Sequence, residues 1–144
     1  MSDENIKQVI VARTKYPDGK GGTMGLRTGK LIAQCCHASM KVFFDKGHVA
    51  HLQAVNGTSF LIEFLTPAME QWITGRFTKI CVYVKSEEEL LNIVQKATDA
   101  CLPVALITDA GLTEFKGIPT KTCCAIGPAP AEEIDKITGE LPLL

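Results

Sequence analysis

The sequence predicts a three-layer α/β fold, in which helices cover both faces of a mixed sheet of about four strands. Segments rich in β-branched residues alternate along the chain with segments of helical periodicity, as expected for α/β layers. The link between the last two predicted strands, residues 111–121, contains no helix. These two strands are therefore either antiparallel neighbours or joined by a loop across the sheet, and both arrangements favour a mixed sheet.

The first predicted strand is "IKQVIVART", residues 6–14. Its apolar residues occupy consecutive positions, which is typical of a strand covered on both faces. A Gly-rich, basic connection follows over residues 15–29. Residues 30–44 are predicted to form a helix, with Thr28 as a plausible N-cap.

The stretch 45–77 is the hardest to interpret. "TPAMEQWI" indicates a helix start, with Thr66 as the N-cap and Pro67 at the first helical position. The preceding run, "SFLIEFL" (59–65), is compatible with a strand or a helix, because periodicity cannot distinguish them over so few residues.

From residue 78 onward the elements alternate clearly. "TKICVYVK" predicts a strand, and the next segment predicts a helix with Ser86 and Glu89 at capping-box spacing. Its expected buried face comprises Leu90, Leu91, Val94 and Ala97. "PVALITDAG" (103–111) and "TCCAIGP" (122–128) are predicted strands, and "PAEEIDKITG" is a short helix entered through Pro130.

Length and composition favour a single domain over residues 1–144, with 46% hydrophobic and 22% charged residues. No apolar run approaches the roughly 20 residues of a membrane span, and the acidic, polar N-terminus resembles neither a secretory nor a transit sequence. We therefore expect a cytoplasmic protein with no membrane partner. The net charge of −1 hides an asymmetry, because residues 1–46 carry eight Lys/Arg against four Asp/Glu. Such a basic region can bind nucleic acid, although ordinary surface charge explains it as well.

The six cysteines do not have the spacing of a zinc site. Two pairs are adjacent, Cys35–Cys36 and Cys123–Cys124, and Cys81 and Cys101 stand alone in apolar segments. We expect reduced thiols that act mostly as small buried hydrophobic residues. His37 directly follows Cys36, and adjacent side chains on a helix point about 100° apart. His48 and His51 lie downstream with no acidic or cysteine partner at ligand spacing, so we expect no metal.

A phosphate-binding P-loop is also excluded around Lys30. The motif needs Gly at position 24 and Ser or Thr at position 31, where this chain has Met24 and Leu31. The backbone amides at the start of the helix could still meet a phosphate.

A polar stripe runs along the first predicted helix. Lys30, Gln34, His37 and Lys41 fall within an arc of about 60°, and apolar residues fill most of the remaining circumference. A narrow polar stripe on a largely apolar helix lines a cleft or forms the solvent edge of the helix, and the pattern does not choose between them.

A second polar group surrounds the end of the third predicted strand. Asp109 follows a buried run and precedes a Gly-containing turn, where open α/β sheets place ligand-binding groups. Thr113, Thr120 and Thr122 follow within the next loop and the start of the next strand. The alternative is that Asp109 simply forms the turn.

Four segments, "GKLIAQCCHA", "ITDAGLTEF", "PTKTCCAIGP" and "IDKITGELPLL", resemble in that order the signature segments of archaeal/eukaryotic-type peptidyl-tRNA hydrolases. The resemblance covers roughly residues 6–44 and 78–144. It implies hydrolysis of the ester between a peptide, or an N-blocked amino acid, and the 3′ end of tRNA. It also implies a mixed four-stranded sheet, a homodimer and no metal or other cofactor. The positions that match its active site are Lys30, Gln34, His37, Asp109, Thr113 and Thr122.

Three features depart from the family pattern. Glu114 stands where Gln is usual, and Pro119 stands where Gly is usual, in a loop that is one residue longer than the common one. The segment 45–77 is longer than the typical link and shares little with it beyond Trp72.

In the mechanism implied by these residues, either His37 or Asp109 deprotonates a water molecule, and the other of these two residues sets the geometry. Lys30 is expected to stabilise the oxyanion or a tRNA phosphate, while Thr113, Gln34 and Thr122 hold the ester, with Thr120 nearby.

Three basic residues of the Gly-rich connection, Lys15, Lys20 and Arg27, are expected to contact the tRNA backbone. Competing hypotheses are a non-catalytic RNA-binding module, a thiol or redox protein, and a partner-binding protein that uses residues 45–77.

Overall fold

The computed structural model describes residues 5–144. The element order comprises eight strands and four helices: β1 (Ile6–Arg13), β2 (Tyr16–Pro17), β3 (Thr23–Met24), α1 (Thr28–Phe44), β4 (Gly47–Leu52), β5 (Gly57–Ile62), α2 (Pro67–Thr74), β6 (Lys79–Val84), α3 (Glu87–Asp99), β7 (Val104–Asp109), β8 (Thr120–Pro130) and α4 (Ala131–Thr138). Among these described helices, none is long and apolar enough to cross a membrane.

The central sheet has the strand order β6-β1-β8-β7. β1 is parallel to β6 and antiparallel to β8, and β7 is antiparallel to β8. The prediction of a mixed, four-stranded sheet is therefore confirmed. Of the two arrangements left open for the last two strands, the structure has antiparallel neighbours.

Helices cover both faces of this sheet, as predicted. One core contains Val9, Val11 and Cys124 and packs against α3 and α4, whereas the other contains Ile10, Ala12 and Cys123 and packs against α1 and α2. Neighbouring residues of β1 and β8 thus enter opposite cores, because successive side chains of a strand point to opposite faces. This explains the uninterrupted apolar runs in their sequences.

Several local predictions are confirmed by hydrogen bonds. Ser86 Oγ accepts from the backbone N–H of Glu89 at 3.1 Å, and Thr66 Oγ1 accepts from that of Met69 at 3.1 Å. Leu91 was expected on the buried face of α3, but it is exposed. Ile93 is buried in its place, three residues after Leu90 and therefore on the same face of the helix.

The predicted N-cap of α1 is wrong. Arg27, not Thr28, is the N-cap residue, and no side chain caps this helix. The connection before it contains the β2–β3 hairpin, whose turn is held by Asp18. One carboxylate oxygen of Asp18 accepts from the backbone N–H groups of Lys20 and Gly22 at 2.7 and 3.0 Å.

The segment 45–77 contains a second hairpin, formed by β4 and β5, followed by α2. The ambiguous run at 59–65 is thus largely a strand. Phe60 of this hairpin packs edge-on against Phe44 of α1, with ring centroids 4.9 Å apart. Much of the hairpin's remaining apolar surface is exposed.

Candidate active site

The site forms where α1 crosses the end of β7. α1 packs against β7 and β8 through Cys35, Ala38 and Val42. The polar stripe next to this packed face therefore lies near β7, the edge strand of the sheet. β7 ends at Asp109, which pairs with Thr120 of β8. The polar stripe of the helix therefore meets the polar end of the strand.

An ion pair connects the two elements. Lys30 Nζ lies 2.7 Å from Asp109 Oδ1 and 3.2 Å from Thr113 Oγ1. The side chains of Lys30 and Asp109 are only 17% and 12% exposed, so the pair is shielded from water without being sealed off. Lys30 is thereby placed between a carboxylate and a hydroxyl group.

A hydrogen-bond chain runs below this pair into the protein. Thr122 Oγ1 donates to Gln34 Oε1 at 2.6 Å, and Gln34 Nε2 donates to Asp109 Oδ1 at 3.1 Å. Gln34 and Thr122 are 2% and 1% exposed. The thiol of Cys123 also donates to the backbone oxygen of Gln34 at 3.0 Å. Every link in this chain fixes the position of the Asp109 carboxylate.

Asp109 serves in the turn and in the site at once. Its Oδ2 accepts from the backbone N–H of Gly111 at 2.8 Å, which is the Asx-type turn anticipated as the alternative role, while Oδ1 faces Lys30 and Gln34. Burial alone raises the pKa of this carboxyl group. The hydrogen bonds from Lys30 and Gly111, the Lys30 charge and the Gln34 amide outweigh burial, so the pKa lies below its usual value.

The other residues proposed from the sequence lie around this centre with fewer contacts. His37 is exposed on α1, three residues beyond Gln34 and hence about 4.5 Å further along the helix axis. Within the described chain it has no hydrogen bond or ion pair. Thr120 donates to the backbone oxygen of Ile118 at 2.8 Å. Lys41, the last residue of the stripe, pairs with Asp45 at 2.8 Å instead of reaching the site.

The three basic residues expected to contact tRNA are all exposed. Lys15 precedes β2 and Lys20 lies in the β2–β3 turn. Arg27 forms an ion pair with Glu114, with Arg27 Nε 2.6 Å from Glu114 Oε1, although 81% of the Arg27 side chain remains exposed. No sequence pattern pairs these two residues, which are separated by 87 positions.

The buried cysteines are unsuited to a thiol site with His37. Burial raises the pKa of Cys35 to about 11 and that of Cys123 to about 12, and it also raises the pKa of Cys124. These thiols stay protonated at neutral pH and are poor nucleophiles. Cys36 and Cys101 are exposed and Cys81 is half-buried, so three of the six cysteines are fully buried. Within residues 5–144 no cluster of three or more His, Cys, Asp or Glu side chains could hold a metal ion.

Nearly the whole chain matches one known protein family. The family model described as "Peptidyl-tRNA hydrolase PTH2" matches residues 6–144. The chain belongs to this family. Membership confirms the resemblance inferred from the four sequence segments, and the match includes the segment 45–77 that looked atypical.

Several curated archaeal proteins are similar to this PTH2-family protein. It is 38% identical to the peptidyl-tRNA hydrolase of Methanopyrus kandleri over 138 residues, which covers 96% of this chain and 97% of the relative. It is also 38% identical to that of Staphylothermus marinus over 144 residues, covering 100% and 99% of the two chains. The peptidyl-tRNA hydrolase of Methanocaldococcus jannaschii is 34% identical over 139 residues, covering 96% and 100%.

The buried hydrogen-bond chain leads to a prediction about stability. Substituting Thr122→Val in this PTH2-family protein removes the donor to Gln34 and leaves the buried Gln34 Oε1 without a partner. We expect the free energy of unfolding to fall by about 1–3 kcal/mol, as measured by urea denaturation. Thr120→Val is the matched control, because its hydroxyl bonds only within its own loop. That variant should lose at most about 1 kcal/mol. Equal losses in both variants would contradict the proposed importance of the chain.

Proposed function

We propose that this protein hydrolyses the ester bond between a peptide, or an N-blocked amino acid, and the 3′ end of tRNA, and so recycles the tRNA. The observation that carries the proposal is the half-buried Lys30–Asp109 pair, with the exposed His37 further along the helix that carries Lys30, in a chain that belongs to the peptidyl-tRNA hydrolase PTH2 family. Ester hydrolysis needs an activated water and stabilisation of the oxyanion, and these side chains can supply both.

His37 is the general base in this proposal. An effective base at neutral pH needs a pKa near the working pH and a free position for the proton. Asp109 meets neither condition, because its pKa is lowered and its oxygens already accept from Lys30, Gln34 and Gly111. The imidazole of His37 is exposed, and among the described residues nothing occupies its ring nitrogens. Asp109 instead fixes the geometry of Lys30.

Lys30 and Thr113 stabilise the developing oxyanion. The Lys30 ammonium is held by Asp109 and can turn a further N–H toward the reacting carbonyl oxygen, while the Thr113 hydroxyl lies beside it. A charge fixed before the reaction is more effective than one that must reorganise. Gln34 and Thr122 are too deeply buried to bind the ester, so they act as positioning residues for Asp109. Thr120 lies at the edge of the site as a further substrate contact.

This mechanism is tested by the hydrolysis of one N-acetylaminoacyl-tRNA at low salt, with a chelator present. Lys30→Ala and His37→Ala should each lower kcat by about 10²–10⁴-fold, because one removes the oxyanion charge and the other the base. The matched controls are Lys41→Ala, on the same helix, and His48→Ala, in the β4–β5 hairpin. Both should stay within about twofold of the wild type.

Near-wild-type turnover in both active-site variants would show that the residue roles are wrong. An inactive wild type that still binds tRNA would favour the non-catalytic RNA-binding alternative. Turnover that disappears on adding the chelator would contradict the proposal that the reaction needs no cofactor.

The tRNA backbone binds to the basic residues before and at the start of α1. Lys15, Lys20 and Arg27 are exposed, and Arg27 uses only its Nε to contact Glu114. Each phosphate that they neutralise should contribute a slope of about 0.7–0.9 in log Kd against log salt. The triple alanine variant should therefore reduce the slope by about 2–3, as measured by fluorescence anisotropy with free tRNA.

The control for this experiment is a triple alanine variant of exposed lysines elsewhere on the fold: Lys85, Lys96 and Lys136. It lowers the net charge by the same amount but should leave the slope unchanged. If the two triple variants behave alike, binding depends on overall charge and not on the connection before α1.

The protein forms a homodimer through the β4–β5 hairpin in our proposal. Residues 47–62 contain no Asp, Glu, Lys or Arg, and the hairpin exposes large apolar side chains, with Val49 65% exposed. An apolar surface without charge is a poor site for tRNA and suits a second copy of itself, as a two-fold dimer interface requires. The dimer acts in the cytoplasm, and each chain functions as one domain over residues 1–144.

Val49→Glu should convert the dimer to a monomer in analytical ultracentrifugation, because the interface would then bury an unpaired charge. The control is Leu91→Glu, which places the same charge on an exposed apolar position of α3, on the opposite face of the sheet. A monomeric wild type at 50–100 times the concentration used in the activity assay, or a Val49→Glu variant that stays dimeric, would contradict the interface.

A further inference from the structure

A cavity of about 360 Å³ adjoins the Lys30–Asp109 pair. It lies between the β2–β3 hairpin and the loop of residues 110–119 that connects β7 to β8. Thr120, the cross-strand partner of Asp109, lines it, and so does Glu114, which directly follows Thr113. A group bound in this cavity would therefore lie close to the residues proposed to act on the ester.

The wall of the cavity is largely apolar. Met24 and Pro17 contribute from the hairpin, and Phe115, Ile118 and Pro119 contribute from the loop. Phe115 is fixed by Tyr16, with ring centroids 4.9 Å apart. The volume lies near the lower end of the range of about 300–1,000 Å³ that is typical of ligand sites. This size suits one side chain and its immediate neighbour better than an extended peptide.

The charges around the cavity disfavour phosphate. Three carboxylates line it, from Asp18, Glu87 and Glu114, against the cationic side chains of Arg13 and Lys116. Two of the carboxylates are paired, Glu114 with Arg27 at 2.6 Å and Glu87 with Arg13 at 3.9 Å, so the cavity holds no excess of positive charge. One of these cations, Arg13, is already engaged. Its guanidinium lies 4.4 Å from the centroid of the Tyr16 ring, and it donates to two backbone oxygens at 3.0 and 3.2 Å.

We propose that this cavity binds the side chain of the amino acid that is esterified to the tRNA, and that it favours a bulky apolar side chain. The inference rests on the proposed hydrolase function and names the part of the substrate that the cavity receives. The tRNA half of the substrate carries a phosphate on each nucleotide, for which a largely apolar wall without an excess of positive charge is a poor site. The peptidyl half brings an uncharged side chain into an apolar wall, which is favourable in proportion to the apolar area removed from water.

The loop that forms one wall is stabilised by hydrogen bonds between its own backbone groups. The backbone N–H of Gly117 donates to the oxygen of Gly111 at 2.7 Å, and that of Ile118 donates to the oxygen of Phe115 at 2.9 Å. Gly111 has φ of +81°, and a Cβ atom there would collide with the backbone of Ile118.

The experiment compares two substrates built on one tRNA, charged either with N-acetylphenylalanine or with N-acetylglycine. The wild type should prefer the phenylalanine substrate by about 10–100-fold in kcat/KM, the ratio expected for burying an aromatic side chain. Ile118→Asn makes the wall polar at a side chain that is 64% exposed, so folding is not at risk. It should lower kcat/KM for the phenylalanine substrate about 5–10-fold and leave the glycine substrate within twofold.

The control is Ile73→Asn, an exposed isoleucine of α2 that does not line the cavity. It should leave both substrates unchanged. Inhibition by free tRNA gives a second readout, and its Ki should be the same in Ile118→Asn and in the wild type.

Three outcomes would overturn the inference. Equal losses on both substrates, or a raised Ki for free tRNA in Ile118→Asn, would mean that the cavity receives the 3′ nucleotide. A wild type that hydrolyses both substrates equally would mean that the cavity does not discriminate between side chains. The hydrolase function itself would still stand. A wild type inactive on both substrates would refute the hydrolase function and with it this inference.

Discussion

The ion pair between Lys30 and Asp109 is the interaction on which the rest of the site depends. It joins the first helix to the end of β7, two elements that are 79 residues apart in sequence. Because both side chains are largely removed from water, either charge would be costly without the other. The packing of α1 on β7 and β8 therefore has to hold the two groups within hydrogen-bond distance, and the apolar residues beneath the helix provide that constraint.

The polar residues of the site fall into a buried group and an exposed group. Thr122 and Gln34 are buried and bond to each other, so they transmit the rigidity of the sheet to Asp109. Thr113 and His37 lie at the surface, where a substrate can reach them. The same donors that fix Asp109 also lower the pKa of its carboxyl group, which makes it a weak base. In the proposed mechanism, positioning and proton transfer are therefore assigned to different residues.

Much of this arrangement could be predicted because it depends on local pattern. The consecutive apolar residues of β1, the capping pair Ser86 and Glu89, and the polar stripe on α1 each follow from periodicity or short spacing. The β4–β5 hairpin could not be predicted, since its apolar run is short and both helix and strand fit it. The Arg27–Glu114 ion pair could not be predicted for another reason. Its two residues become neighbours only after the sheet has brought the loop of residues 110–119 beside α1.

The surface around the ion pair also has two distinct parts. The exposed basic side chains of Lys15, Lys20 and Arg27 lie before and at the start of α1, whereas the cavity behind Thr120 has a largely apolar wall. A peptidyl-tRNA is divided in the same way, because one half is a polyanion and the other is mostly uncharged. If each half binds where the charges permit, the ester between them falls beside Lys30, Asp109 and Thr113. The orientation of the substrate then follows from electrostatics, and no base-specific contact is needed to establish it.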